Sequence, residues 1–105
     1  MTVAEAFQAL AEPRRLAILE LLRDGEKSVG ELAAALDASQ PAVSKHLRAL
    51  KESGLVEVRP MAQQRFYRIR PEPLAEVDDW LSQYRRLWIQ SLDRLEAHLE
   101  DRRKT

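Results

Sequence analysis

A chain of 105 residues, 45% hydrophobic and 32% charged, has the balance of one small globular domain with a modest core rather than of a disordered segment. It contains no cysteine, which excludes disulfides, thiolate metal sites and cysteine nucleophiles. Formal net charge is zero, yet the charge is polarised: Ser39 to Arg70 carries seven basic residues against two acidic ones, and Pro71 onward six against eight.

No apolar run approaches the roughly 20 residues of a membrane span, and the N-terminus lacks a signal-peptide core, so no membrane partner and a cytoplasmic location are expected. Val3 to Leu10 reads as a first helix, with Val3, Ala6, Phe7 and Leu10 at helical spacing. Pro13 suits the start of a second helix, apolar over more than half its circumference through Leu16, Ile18, Leu19, Leu21 and Leu22; Asp24-Gly25 stops it. Ser28 and Glu31 have capping-box spacing and open a short third helix that buries Val29, Leu32, Ala33 and Leu36 and ends near Asp37-Ala38.

Ser39 to Gly54 is the stretch the others serve. Ser39 is an N-cap, Pro41 lies in the first turn, and Gly54 can take the left-handed conformation that ends a helix. Val43, Leu47 and Leu50 fall on one side; Ser44, Lys45 and Arg48 fall on the other, with Gln40 at the N-terminal edge and Ala42 and Ala49 flanking. Short side chains let a helix backbone lie deep in a DNA major groove, where Gln and Arg read base edges and Ser and Lys reach phosphates. An ordinary amphipathic helix explains the apolar stripe equally well. The short helix before it completes a helix-turn-helix over residues 28–54, the first helix supporting and the second reading.

After Gly54 the period becomes alternating. Val56 and Val58, then Tyr67 and Ile69, read as the inner residues of a β-hairpin over residues 55–70. With no Gly and no Asn-Gly between Pro60 and Gln64, a long, loose loop is expected. A basic hairpin after a helix-turn-helix is a wing, and Arg59, Arg65 and Arg68, with Gln63 and Gln64 at the tip, are candidates for phosphate or minor-groove contact. Solvated strand charge accounts for any one of them. From Leu74 to about Asp101 there is neither Gly nor Pro, and one long helix is expected. Leu74, Val77, Leu81, Tyr84, Trp88, Leu92, Leu95 and Leu99 form its stripe, widened by Trp80, Leu87 and Ile89. So much apolar surface exceeds what one small domain covers, and an identical chain is the simplest partner; folding back onto its own core is the alternative.

The fold class is thus mainly α with a small β-hairpin, a winged helix-turn-helix with a long C-terminal dimerisation helix. This order, with Leu10-Ala-Glu-Pro-Arg-Arg-Leu-Ala-Ile-Leu19, Val29-Gly-Glu-Leu-Ala33, Ser39-Gln-Pro-Ala-Val-Ser-Lys-His-Leu-Arg-Ala-Leu50, Gly54-Leu-Val56 and Arg65-Phe-Tyr-Arg-Ile69, resembles the ArsR/SmtB family of bacterial winged-helix repressors. The resemblance implies one DNA-binding domain over residues 1–105, dimerised through residues 1–11 and 74–101, that represses transcription from a palindromic operator. It implies DNA contact by Gln40, Ser44, Lys45, His46 and Arg48, with Ser39 at the helix start; His46, between core and exposed face, can instead be a boundary packing residue. It implies a dimer interface of Val3, Phe7 and the stripe with Trp80.

Metal-sensing relatives use cysteines before the recognition helix, where Val29 to Ala38 has none, or paired His and acidic ligands on the last helix. Here Asp78 and Asp79 are followed by Trp80, and His98 is the only histidine of that helix, so no metal and no cofactor are expected, as in the non-metal branch of the family. An enzyme is not expected: Ser44 and His46 are two apart on a helix and point in different directions. The remaining alternative is a winged-helix protein-interaction module that has lost specific DNA binding, suggested by the Gln-rich wing and zero net charge. No small-molecule inducer is identified.

Overall fold

The computed structural model describes residues 2–104. In chain order they form α1 (Val3–Leu10), α2 (Pro13–Leu22), β1 (Lys27–Ser28), α3 (Val29–Leu36), α4 (Gln40–Glu52), β2 (Val56–Met61), β3 (Gln64–Ile69) and α5 (Pro71–Lys104).

Helix ends are fixed by local chemistry. Thr2 and Ser28 each accept a backbone N–H from the third helical residue, Glu5 and Glu31, whose carboxylates accept the cap N–H in return. Glu12 accepts the Arg15 N–H at the start of α2, and Ser39 the Ala42 N–H at the start of α4. At the end of α4, Leu55 N–H donates to Leu50 C=O and Gly54 N–H to Lys51 C=O, with Gly54 at φ 78°. This Schellman closure brings Leu50 and Leu55 together, both fully buried. Asp37 closes α3 in the same way at φ 51°.

The core gathers Ile18, Leu19 and Leu22 of α2, Leu32 of α3, Val43, Leu47 and Leu50 of α4, and Leu55, Val56 and Tyr67 of the hairpin. No polar or charged side chain among the described residues joins it. Val58, Ile69 and Leu74 pack against its edge.

The structure extends or corrects the expectations at four points. The hairpin belongs to a three-stranded antiparallel sheet of order β1-β3-β2, because Lys27 and Ser28 pair with Tyr67 and Phe66. The wing loop is tight rather than loose: the ladder runs to the Met61–Gln64 pair, leaving only Ala62 and Gln63 to turn, since Ala62 accepts φ 55° without glycine. The last helix starts at Pro71 and extends to Lys104, because proline fits the first turn of a helix as readily as the join before it. Leu16, expected in the core with the rest of α2, is 44% exposed, whereas Phe7, expected at a dimer interface, is 41% exposed and Ala6 and Ala9 bury the inner face of α1.

α5 spans 34 residues, about 51 Å at the α-helical rise. α1 packs along its N-terminal part, where Phe7 meets Trp80 edge-on at 5.6 Å and Trp80 meets Tyr84 at 4.9 Å. Val77 is buried there, and every side chain from Ser82 to Arg103 is exposed. The projecting helix gives the molecule its 68 Å long axis.

Candidate nucleic-acid interface

α3 and α4 pack together with residues 37–39 between them, and burial of Val43, Leu47 and Leu50 fixes which face of α4 turns outward. Gln40, Ser44, Lys45 and Arg48 lie on that outer face and are exposed. Gln40 and Ser44 line a cleft of about 350 Å³ closed on the far side by Gln63, Gln64 and Arg65 of the wing. The structure therefore brings five of the candidate residues, from two elements far apart in sequence, to one opening.

The start of α3 lines the same cleft through Ser28, Val29 and Gly30, which the sequence reading did not single out. A side chain at Gly30 would meet Gln40 Nε2 at 3.6 Å, so the two helix starts approach closely. The capping box at Ser28 was the available signal: it marks a helix N-terminus, whose free N–H groups and positive dipole end favour anions.

The cations divide by partner. Lys45, Arg48 and Arg65 form no ion pair among the described residues. Arg59 and Arg68 do. In the ladder Val56, Val58 and Pro60 oppose Ile69, Tyr67 and Arg65, so Arg65 lies on the side of the sheet that faces the core helices. Glu57, Arg59 and Met61 oppose Arg68, Phe66 and Gln64 on the other side. There Arg68 Nε donates to Glu57 across the ladder, and Arg59 holds Glu26 through Nε at 3.2 Å and a second contact from Nη2. The Arg59 hydrogen bond, with its charge and that of Arg68, holds the Glu26 carboxyl below the usual carboxylate range. Two of the three candidate wing arginines are thus engaged away from the cleft.

His46 also lies apart. Its side chain is 19% exposed, with Nδ1 3.6 Å from Oε2 of Glu12, the residue that caps α2. Ser39 spends its hydroxyl on the Ala42 N–H. Of the expected interface residues, Leu74 and Val77 pack within the chain itself, Val3 and Leu81 are half-buried, and Phe7, Trp80, Tyr84, Trp88, Leu92, Leu95 and Leu99 are exposed. Among the described residues no group of His, Asp and Glu has metal-site geometry, and no helix is long and apolar enough to cross a membrane.

Comparison with known proteins bears on this arrangement. Residues 12–58, from the α2 cap into the wing, match the family model described as bacterial regulatory protein, arsR family. Over 87 residues the chain is 45% identical to the HTH-type transcriptional regulator Rv2034 of Mycobacterium tuberculosis, covering 83% of this chain and 78% of that protein. It is 43% identical over 85 residues to the transcriptional activator HlyU of Vibrio cholerae, covering 81% and 76%. Among solved structures, an ArsR-like transcriptional regulator from Rhodococcus sp. RHA1 superposes with a TM-score of 0.71 at 30% identity, over 90% of each chain. Fold, helix-turn-helix position and sequence agree: the chain belongs to the ArsR family of bacterial regulatory proteins, transcriptional regulators rather than enzymes.

Proposed function

We propose that the protein is a homodimeric transcriptional repressor that reads a palindromic operator with α4 and steadies it with the wing. The observation carrying this reading is the sorting of the cations. Lys45, Arg48 and Arg65, without carboxylate partners, accompany the cleft where Gln40, Ser44, Gln63 and Gln64 converge. Lys45 and Arg65 take phosphates, and Gln40 and Arg48 read base edges in the major groove. Arg59 and Arg68 hold the wing in place through Glu26 and Glu57.

Dimerisation rests on α5. Apolar residues that its own chain leaves at least partly exposed are spaced symmetrically about Trp88: Tyr84 and Leu92 lie four residues away, Leu81 and Leu95 seven. An antiparallel pair of these helices centred on Trp88 sets apolar residue against apolar residue at these positions. Two-fold symmetry then presents the two α4 helices about 34 Å apart, one turn of DNA.

The test is a titration into DNA from upstream of the protein's own gene, at several salt concentrations, with random DNA of equal length as control. Binding well above the control, with a two-fold-symmetric footprint, is expected; Arg48→Ala then costs ~1–3 kcal/mol and relaxes specificity at one base pair per half-site. Equal binding to both fragments would reduce the interface to backbone attraction. No binding by a folded dimer would move the function to protein interaction.

A further inference from the structure

A second opening lies behind the wing, away from the DNA cleft, in a groove of about 790 Å³. Its origin is topological. β1 begins at Lys27, opposite Tyr67, so Arg68 and Ile69 of β3 have no strand beside them on that side. The gap between this bare edge and the end of α2 is floored by Leu22, Ile69 and Pro71, and its wall at Gly25 borders open space. The rim is cationic: Arg23, Arg59 and Arg68 face one carboxylate, Glu26. Counting Glu57, which pairs with Arg68 from outside the groove, still leaves Arg23 without an acidic partner among the described residues.

From this combination we infer that the groove binds a small amphipathic carboxylate, an apolar chain or ring bearing one anionic head. The apolar part lies on Leu22, Ile69 and Pro71, and the head meets Arg23, with Arg68 within reach as a second donor. A volume of this size falls in the ordinary range of small-ligand sites, and a planar guanidinium suits a carboxylate. The rim already favours this chemistry, since Glu26 is stabilised as a carboxylate there by Arg59 and Arg68. The two existing ion pairs are exposed and individually weak, so a ligand can share their arginines at small cost. An occupant would tie the end of α2, the wing base and the first turn of α5 together. None of this depends on what the opposite cleft binds.

The test uses the intact protein, methyl-labelled at Leu and Ile, titrated with octanoate, 1-octanol and acetate in turn. Octanoate is expected to shift the Leu22 and Ile69 methyls saturably, with 1-octanol and acetate each about tenfold weaker or worse for lack of head or tail. Arg23→Gln, an exposed substitution, should weaken octanoate about tenfold and leave 1-octanol unchanged. Equal affinity for octanoate and 1-octanol would overturn the assignment, as would octanoate shifts confined to the exposed α5 leucines. So would unchanged octanoate affinity in Arg23→Gln, or no saturable shift at Ile69.

Discussion

Arg59 on the edge strand β2 reaches across β3 to Glu26, one residue before β1, and so spans all three strands of the wing sheet with one side chain. The pair is exposed, and its effect belongs to wing order rather than to global stability. Because folding lowers the Glu26 pKa, its contribution is present above the ordinary carboxylate range and is lost as pH falls through the depressed value. Glu26→Gln should therefore speed amide exchange in β2 near neutral pH, and the difference from the parent should vanish as acid protonates Glu26. A difference that persisted unchanged at low pH would mean that packing of Glu26, not its charge, orders the strand.

His46 packs against the α2 cap instead of pointing into the cleft. His46→Ala should destabilise the fold by roughly 1 kcal/mol, the usual size for a partly buried contact, and lower DNA affinity without changing which bases are preferred. Comparing base preference at every operator position decides it. A preference relaxed at one position would place His46 on a base.

Two glycines should respond with opposite sign to the same substitution. At Gly54, φ is 78° and an added Cβ meets only Arg70 Nη1 at 3.7 Å, so the cost of Gly54→Ala is the left-handed backbone itself, about 1–2 kcal/mol. Gly30 is helical, and its nearest contact would be the movable Gln40 side chain at 3.6 Å. Gly30→Ala should gain up to about 1 kcal/mol from helix propensity, and thermal unfolding of both variants checks the pair. A stabilised Gly54→Ala would refute the closure described for α4.

Ala62 carries the only positive φ in the wing turn, the sign pattern of a turn that prefers glycine at its first position. Ala62→Gly should raise stability by about 1 kcal/mol, relief of the left-handed penalty outweighing the added chain entropy. Unchanged or lowered stability, measured by denaturant unfolding, would show that the turn does not bear this strain.

What the sequence made legible follows from period and caps. The helix starts at Ser28 and Ser39, the closure at Gly54 and the inward Val56 and Tyr67 were all readable, because each rests on interactions within a few residues. The tight turn was missed because its usual signature is glycine, and here alanine takes the strained position. β1 was missed because two residues carry no alternation to read. The split among the arginines was out of reach for a different reason: Arg59 and Glu26 are 33 positions apart, and only the register of the sheet brings them together.

The exposed part of α5 gives the sharpest test of self-association. Trp88 is 60% exposed and Leu92 63% in the single chain, and neither contributes to the core formed by α2, α3, α4 and the hairpin. A charge placed at either position should therefore leave that core intact while opposing pairing, since an unpaired buried carboxylate costs several kcal/mol at a helix–helix contact. The parent is expected to sediment as a dimer and Trp88→Glu and Leu92→Glu as monomers that retain the near-ultraviolet signal of buried Tyr67. They should also lose helix content, because a segment from Ser82 onward without tertiary contacts is marginal as an isolated helix. If both variants remained dimers, the interface would lie elsewhere, with the aromatic contact of Phe7 and Trp80 as the next surface to probe.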